Sequence, residues 1–109
     1  MTHQPSDDPT LLKVRGESGF GETEEDRDRS RKDYIKRVSG AILTVISKHG
    51  SARLKAVGAA GVSNAVKAAI IARGEGSKKG LELVIEPSFD SALFDGDTKT
   101  AIVLRVVKR

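Results

Sequence analysis

At 109 residues the chain has material for one hydrophobic core and not for two. Its composition, 38% apolar and 31% charged, excludes wholesale disorder, and the absence of cysteine excludes disulfides, thiolate metal sites and cysteine nucleophiles. The formal charge of +4 hides an asymmetry, because residues 1–29 hold eight acids against four bases while residues 30–109 hold fifteen bases against seven acids. A body of net +8 behind a segment of net −4 fits a polyanion partner whose access is modulated, and equally fits plain solubility.

In chain order, residues 1–9 read as a flexible tail and residues 10–109 as a single domain. The opening MTHQPSDDPT lacks the basic-then-apolar pattern of a signal peptide, and no apolar run nears the roughly 20 residues of a membrane span, so the expectation is a cytoplasmic protein without membrane association. Thr10 to Gly16 alternates apolar and basic residues, which predicts a half-buried strand with Leu12 and Val14 inward. Residues 17–29 combine Ser18, Gly19 and Gly21 with a charge block and no apolar periodicity, which predicts a long charged loop.

Ser30 is the expected N-cap of the next element, with Asp33 suited to the positive helix end. From there Tyr34, Ile35, Val38, Ala41, Ile42, Val45 and Ile46 recur at helical spacing, and Gly50 supplies a stop. The polar face of this helix, with Lys32, Lys36 and Lys48, is expected to be solvated. Ala52 to Val57 alternates again, setting Arg53 and Lys55 opposite Ala52, Leu54 and Ala56.

The turn Gly58-Ala59-Ala60-Gly61 then leads to a second helix expected from Val62 or Ser63 to Gly74. Val62, Ala65, Val66, Ala69 and Ile70 make its apolar stripe, and Asn64, Lys67, Ala68 and Ile71 line a second, mixed face. Two aliphatic strands follow, Leu81 to Ile85 and Thr100 to Val107, joined by a long loop with an Asp-Gly turn signal. The order is β-α-β-α-β-β. Right-handed crossovers place both helices on one face of a four-stranded mixed sheet, an α/β two-layer sandwich.

Catalysis has little material to work with. His3 and His49 stand without a second ligand at metal spacing, and Asp95 and Asp97 flank a turn glycine. The expectation is a protein that is not an enzyme and uses no metal or cofactor. The glycine turn at Gly58 matches neither the dinucleotide nor the Walker pattern, which leaves a tight strand-to-helix turn or a weak anion cradle. With rings only at Phe20, Tyr34, Phe89 and Phe94, stacking on single-stranded bases is not expected to dominate.

The stretch Gly58 to Gly74 resembles the most distinctive part of the stage V sporulation protein S family, in which a glycine-bearing turn leads into an Asn-Ala-Val-Lys-Ala helix closed by Ala-Arg-Gly. Here these residues are Asn64, Ala65, Val66, Lys67 and Ala68, then Ala72, Arg73 and Gly74, and the likeness continues through LLKV, GLELVIEPSF and the final Asp-Gly strand. That family looks like a branch of the Alba superfamily. The resemblance implies an Alba-like β-α-β-α-β-β fold, a homodimer or higher homo-oligomer, nucleic-acid binding (DNA or RNA), and a regulatory role in bacterial sporulation or development.

Expected phosphate contacts are Arg31, Lys32, Lys55, Lys67, Lys78 and Lys79, since flexible point charges grip backbone without reading sequence. Asn64, Ala68 and Ile71 are the expected oligomer interface. Two regions that are basic in Alba proteins are acidic here: the loop before the first helix and the arm between the last strands, with Asp90, Asp95 and Asp97. They support an alternative, a protein-interaction or scaffold module acting through the second helix and the acidic loop.

Overall fold

The computed structural model describes residues 8–16 and 19–109, so residues 1–7 of the expected tail, with His3, and Glu17 and Ser18 of the expected loop lie outside the described residues. Six elements follow in order: β1 (Leu11–Lys13), α1 (Glu24–His49), β2 (Ser51–Ala56), α2 (Gly58–Lys78), β3 (Leu83–Phe94) and β4 (Asp97–Lys108). The sheet order is β1-β2-β4-β3, with β1 parallel to β2 and β4 antiparallel to both of its neighbours. This is the expected two-layer sandwich of order β-α-β-α-β-β.

Alternation builds one wall of the core. Ala52, Leu54 and Ala56 are buried on one face of β2, opposite Val106, Leu104 and Ile102 of β4. Ile35, Ile42 and Ile46 from α1 and Ala65, Ala68, Ala69 and Ala72 from α2 complete the same cluster, so both helices cover that face. Each fully buried Leu or Ile contributes about 1.5–3 kcal/mol relative to exposure. The alanines let α2 lie close to the sheet.

The first helix starts seven residues before the expected start at Arg31. Thr23 is its N-cap in extended conformation, and its hydroxyl accepts the amide of Asp26 at 3.0 Å. The charge block that had no apolar period is itself helical: Arg29 meets Glu25 at 3.7 Å and Asp26 at 3.6 Å, while Asp28 meets Arg31 at 3.0 Å and Lys32 at 3.3 Å. Acids occupy the first turn and bases the last, as the helix dipole favours.

The second helix also exceeds its expected limits, running from Gly58 through Gly74 to Lys78. Gly61 is part of it for a steric reason. A Cβ at Gly61 would stand 3.2 Å from the carbonyl oxygen of Val14, so the helix start packs against the end of β1 only because no side chain intervenes.

The largest correction concerns the terminal hairpin. No long loop separates its strands; β3 continues to Phe94 and pairs with β4 from Leu83↔Lys108 to Phe94↔Asp97. Asp95 and Gly96, with φ of 52° and 79°, make a two-residue turn with both central residues left-handed, the geometry that Asp-Gly favours. Pro87 lies within β3, which is tolerated because β3 is an edge strand.

Candidate nucleic-acid interface

The end of β1 and the start of α2 are held together by residues far apart in sequence. Asn64 donates from Nδ2 to the carbonyl oxygens of Arg15 at 3.0 Å and Gly16 at 3.2 Å. The Arg15 amide donates to the Tyr34 hydroxyl at 2.9 Å, and the Arg15 guanidinium lies 4.5 Å from the Phe20 ring centroid and 4.7 Å from that of Tyr34. Phe20 is buried and its ring centroid is 5.3 Å from that of Tyr34. This cation–π cluster ties Arg15 and Phe20 to the Tyr34 side of α1. Its contacts to Tyr34 span 14 and 19 residues, which no local period reveals.

These contacts revise the expected oligomer interface. Asn64 is only 2% exposed and Ala68 is fully buried, so both belong to the interior of one chain, whereas Ile71 remains exposed. The reason is that Asn64 turns toward the end of β1 and Ala68 toward the core, which leaves only Lys67 and Ile71 of that face outside.

The six basic residues expected to contact phosphate do not converge on one patch. Arg31 and Lys32 both reach Asp28, whose carboxyl is held below its ordinary pKa by those two hydrogen bonds, Arg31 first. Lys78 pairs with Glu75 at 2.9 Å near the end of α2. Lys55 lies on the helix-free face of the sheet, where Nζ meets Asp90 Oδ2 at 3.1 Å and the carbonyl oxygen of Ser91 at 2.7 Å. Among the described residues Lys67 and Lys79 form no ion pair, although the charge of Lys79 helps Lys78 hold the Glu75 carboxyl below its ordinary pKa.

On the helix-free face Arg53, Lys55 and Arg105 are each compensated by a carboxylate. Arg53 and Arg105 stand directly opposite each other in the ladder, an unfavourable pairing for like charges. Asp8 neutralises Arg53, and Glu86 meets Arg105 at 2.7 Å. The Asp8 carboxyl is held below its ordinary pKa first by the hydroxyl and amide of Thr10 and then by Arg53.

A different set of bases stands without acidic partners. Lys36, Arg37 and Lys48 are exposed on the outward side of α1, away from buried Ile35, Ile42 and Ile46, and form no ion pair among the described residues. The helical period that located the buried face also locates these residues. Only their lack of partners is invisible in sequence.

Beyond Ala56, where β2 ends opposite Ile102, the β3–β4 ribbon continues as a two-stranded arm. Phe89 and Leu93, each 78% exposed, point to the same side of it, and Asp90, Asp95 and Asp97 give it negative charge. The salt bridge from Lys55 to Asp90 ties the arm's base to β2.

The model of the family described as Stage V sporulation protein S matches residues 30–109. The chain belongs to the stage V sporulation protein S family. The matched stretch begins within α1 and takes in β2, α2, β3 and β4, and with them Asn64, the outward bases of α1 and the arm. Membership in this family associates the chain with sporulation. Among the described residues, no helix is long and apolar enough to cross a membrane, and no three of His, Asp and Glu come together as a metal site.

Proposed function

We propose that this stage V sporulation protein S family member is a nucleic-acid-binding regulatory protein of sporulation or development. It is not an enzyme, it works in the cytoplasm as a homo-oligomer, and it holds phosphate backbone without reading sequence. The observation that carries the reading is the state of the charges in residues 30–109. Among the described residues, four of the seven acids there are engaged in ion pairs, and Lys36, Arg37, Lys48, Lys67 and Lys79 are left facing solvent without one. Unpaired lysines and arginines on a helix surface neutralise phosphates and release counterions, which makes binding strongly salt-dependent. The Alba-like resemblance supports the same reading.

Titration against duplex DNA, single-stranded DNA and RNA at two salt concentrations tests it. Affinity should fall steeply with salt, and Lys36→Glu with Arg37→Glu should weaken binding to every sequence alike; no binding at low salt rejects the reading. A second reading, a protein-interaction module, is favoured by the arm, whose exposed Phe89 and Leu93 sit among carboxylates that would repel phosphate.

A further inference from the structure

The exposed large apolar side chains fall into two groups, one on the arm and one on α2. Phe89 and Leu93 occupy the side of the ribbon that faces the helices, because Phe89 pairs with Ile102 and Ile102 pairs with core-facing Ala56. Val66 and Ile70, the latter 58% exposed, lie on the flank of α2 turned toward β3. Arg73 on the same flank donates Nε to the carbonyl oxygen of Leu83 at 3.2 Å, and Ile70 and Arg73 line a groove with Leu81 and Leu83.

Within one chain the outer end of the arm and the Ile70 end of α2 diverge. Phe89 lies level with the last residue of β2, and Leu93 lies four strand residues, about 13 Å, farther out. The second helix begins at that end of the sheet and runs the other way, carrying Ile70 away from the arm.

The groups are nevertheless complementary. Val62, Val66 and Ile70 form one stripe whose ends are eight helical residues, about 12 Å, apart, which matches the spacing of Phe89 and Leu93. Among the described residues, Lys67, beside that stripe, has no ion pair, and neither do Asp95 and Asp97 at the arm's tip. An apolar pair with unpaired acids and an apolar stripe with an unpaired base are two halves of one contact.

We propose that a second copy of this chain supplies the missing half. The arm of each copy lays Phe89 and Leu93 on Val62, Val66 and Ile70 of the other and brings Asp95 and Asp97 to the partner's Lys67. Because arm on helix is returned as helix on arm, the contact closes with two-fold symmetry. This deepens the homo-oligomer part of the reading above and gives the acidic arm a use other than gripping phosphate.

Sedimentation equilibrium on the full chain tests it, with wild type, Leu93→Asp, Ile70→Asp, Lys67→Glu, and Lys67→Glu combined with Asp95→Lys and Asp97→Lys. All five positions are exposed, so circular dichroism should show native folding in every variant. Wild type should be a dimer, Leu93→Asp and Ile70→Asp should each raise the dissociation constant about 100-fold, and the charge-exchanged variant should recover what Lys67→Glu loses.

A wild-type monomer at all concentrations overturns both the surface and the homo-oligomer reading, leaving the face to another protein. A wild-type oligomer that Leu93→Asp and Ile70→Asp leave intact overturns the surface alone. Loss of nucleic-acid retention in Leu93→Asp with sedimentation unchanged assigns the arm to nucleic acid and likewise overturns the surface.

Discussion

The side-chain amide of Asn64 reaches out of the second helix to the carbonyl of Arg15, 49 positions earlier in the chain, at 3.0 Å. It thereby satisfies backbone acceptors that α2 would otherwise bury dry at the end of β1. Asn64→Ala leaves the carbonyls of Arg15 and Gly16 without this donor and should cost about 1–3 kcal/mol. Asn64→Asp should cost more, because a carboxylate would face two carbonyl oxygens. Thermal unfolding checks both, and a native midpoint in Asn64→Asp would show that the bonds do not hold the β1 end.

The tie between Lys55 and Asp90 should respond to acid. The amide of Ser91, and after it Lys55, hold the Asp90 carboxyl below the ordinary aspartate pKa of about 3.9. A folded-state pKa lowered in this way contributes stability that is complete above about pH 4 and disappears as pH falls through the folded value. Amide hydrogen exchange of the arm should therefore be unchanged between pH 5 and 7 after correction for intrinsic rates, and should accelerate below about pH 4. Lys55→Met should loosen the base of the arm at neutral pH and flatten the acid response.

The first turns of α1 rest on capping and on surface charge, since they bury no apolar side chain. Thr23→Ala removes the acceptor for the Asp26 amide and should cost about 1 kcal/mol of helix stability. Molar salt should weaken the pairs of Arg29, Arg31 and Lys32 with Glu25, Asp26 and Asp28. Both effects should appear as faster exchange confined to residues 24–33, with Ile42 and Ile46 unaffected.

The sandwich was legible in sequence because its buried faces follow simple periods, 3.6 in Tyr34 to Ile46 and 2 in Ala52 to Ala56. The start of α1 was not, because a helix held by charge pairs leaves no apolar stripe. The start of α2 was hidden by Gly58 and Gly61, residues that usually break helices and that serve here for close approach to Val14. The arm read as a loop because polar and apolar residues mix over Ser88 to Phe94 where no third strand or helix imposes an alternation.

Of the candidate interface, the sequence revealed where bases lie but not which are already occupied. Lys55 and Lys78 look like Lys67 in sequence, and only the fold brings Asp90 and Glu75 to the first two. Asn64 and Ala68 look like surface positions on a helical wheel until the carbonyls of Arg15 and Gly16 engage Asn64 and the core cluster takes in Ala68.

Pro87 has a last consequence. It sits near the middle of β3, whose outer side no other strand covers, and it takes an amide donor from that border. A neighbouring sheet therefore cannot zip continuously along this border, so the proline guards this edge against strand-by-strand growth when many copies are crowded together.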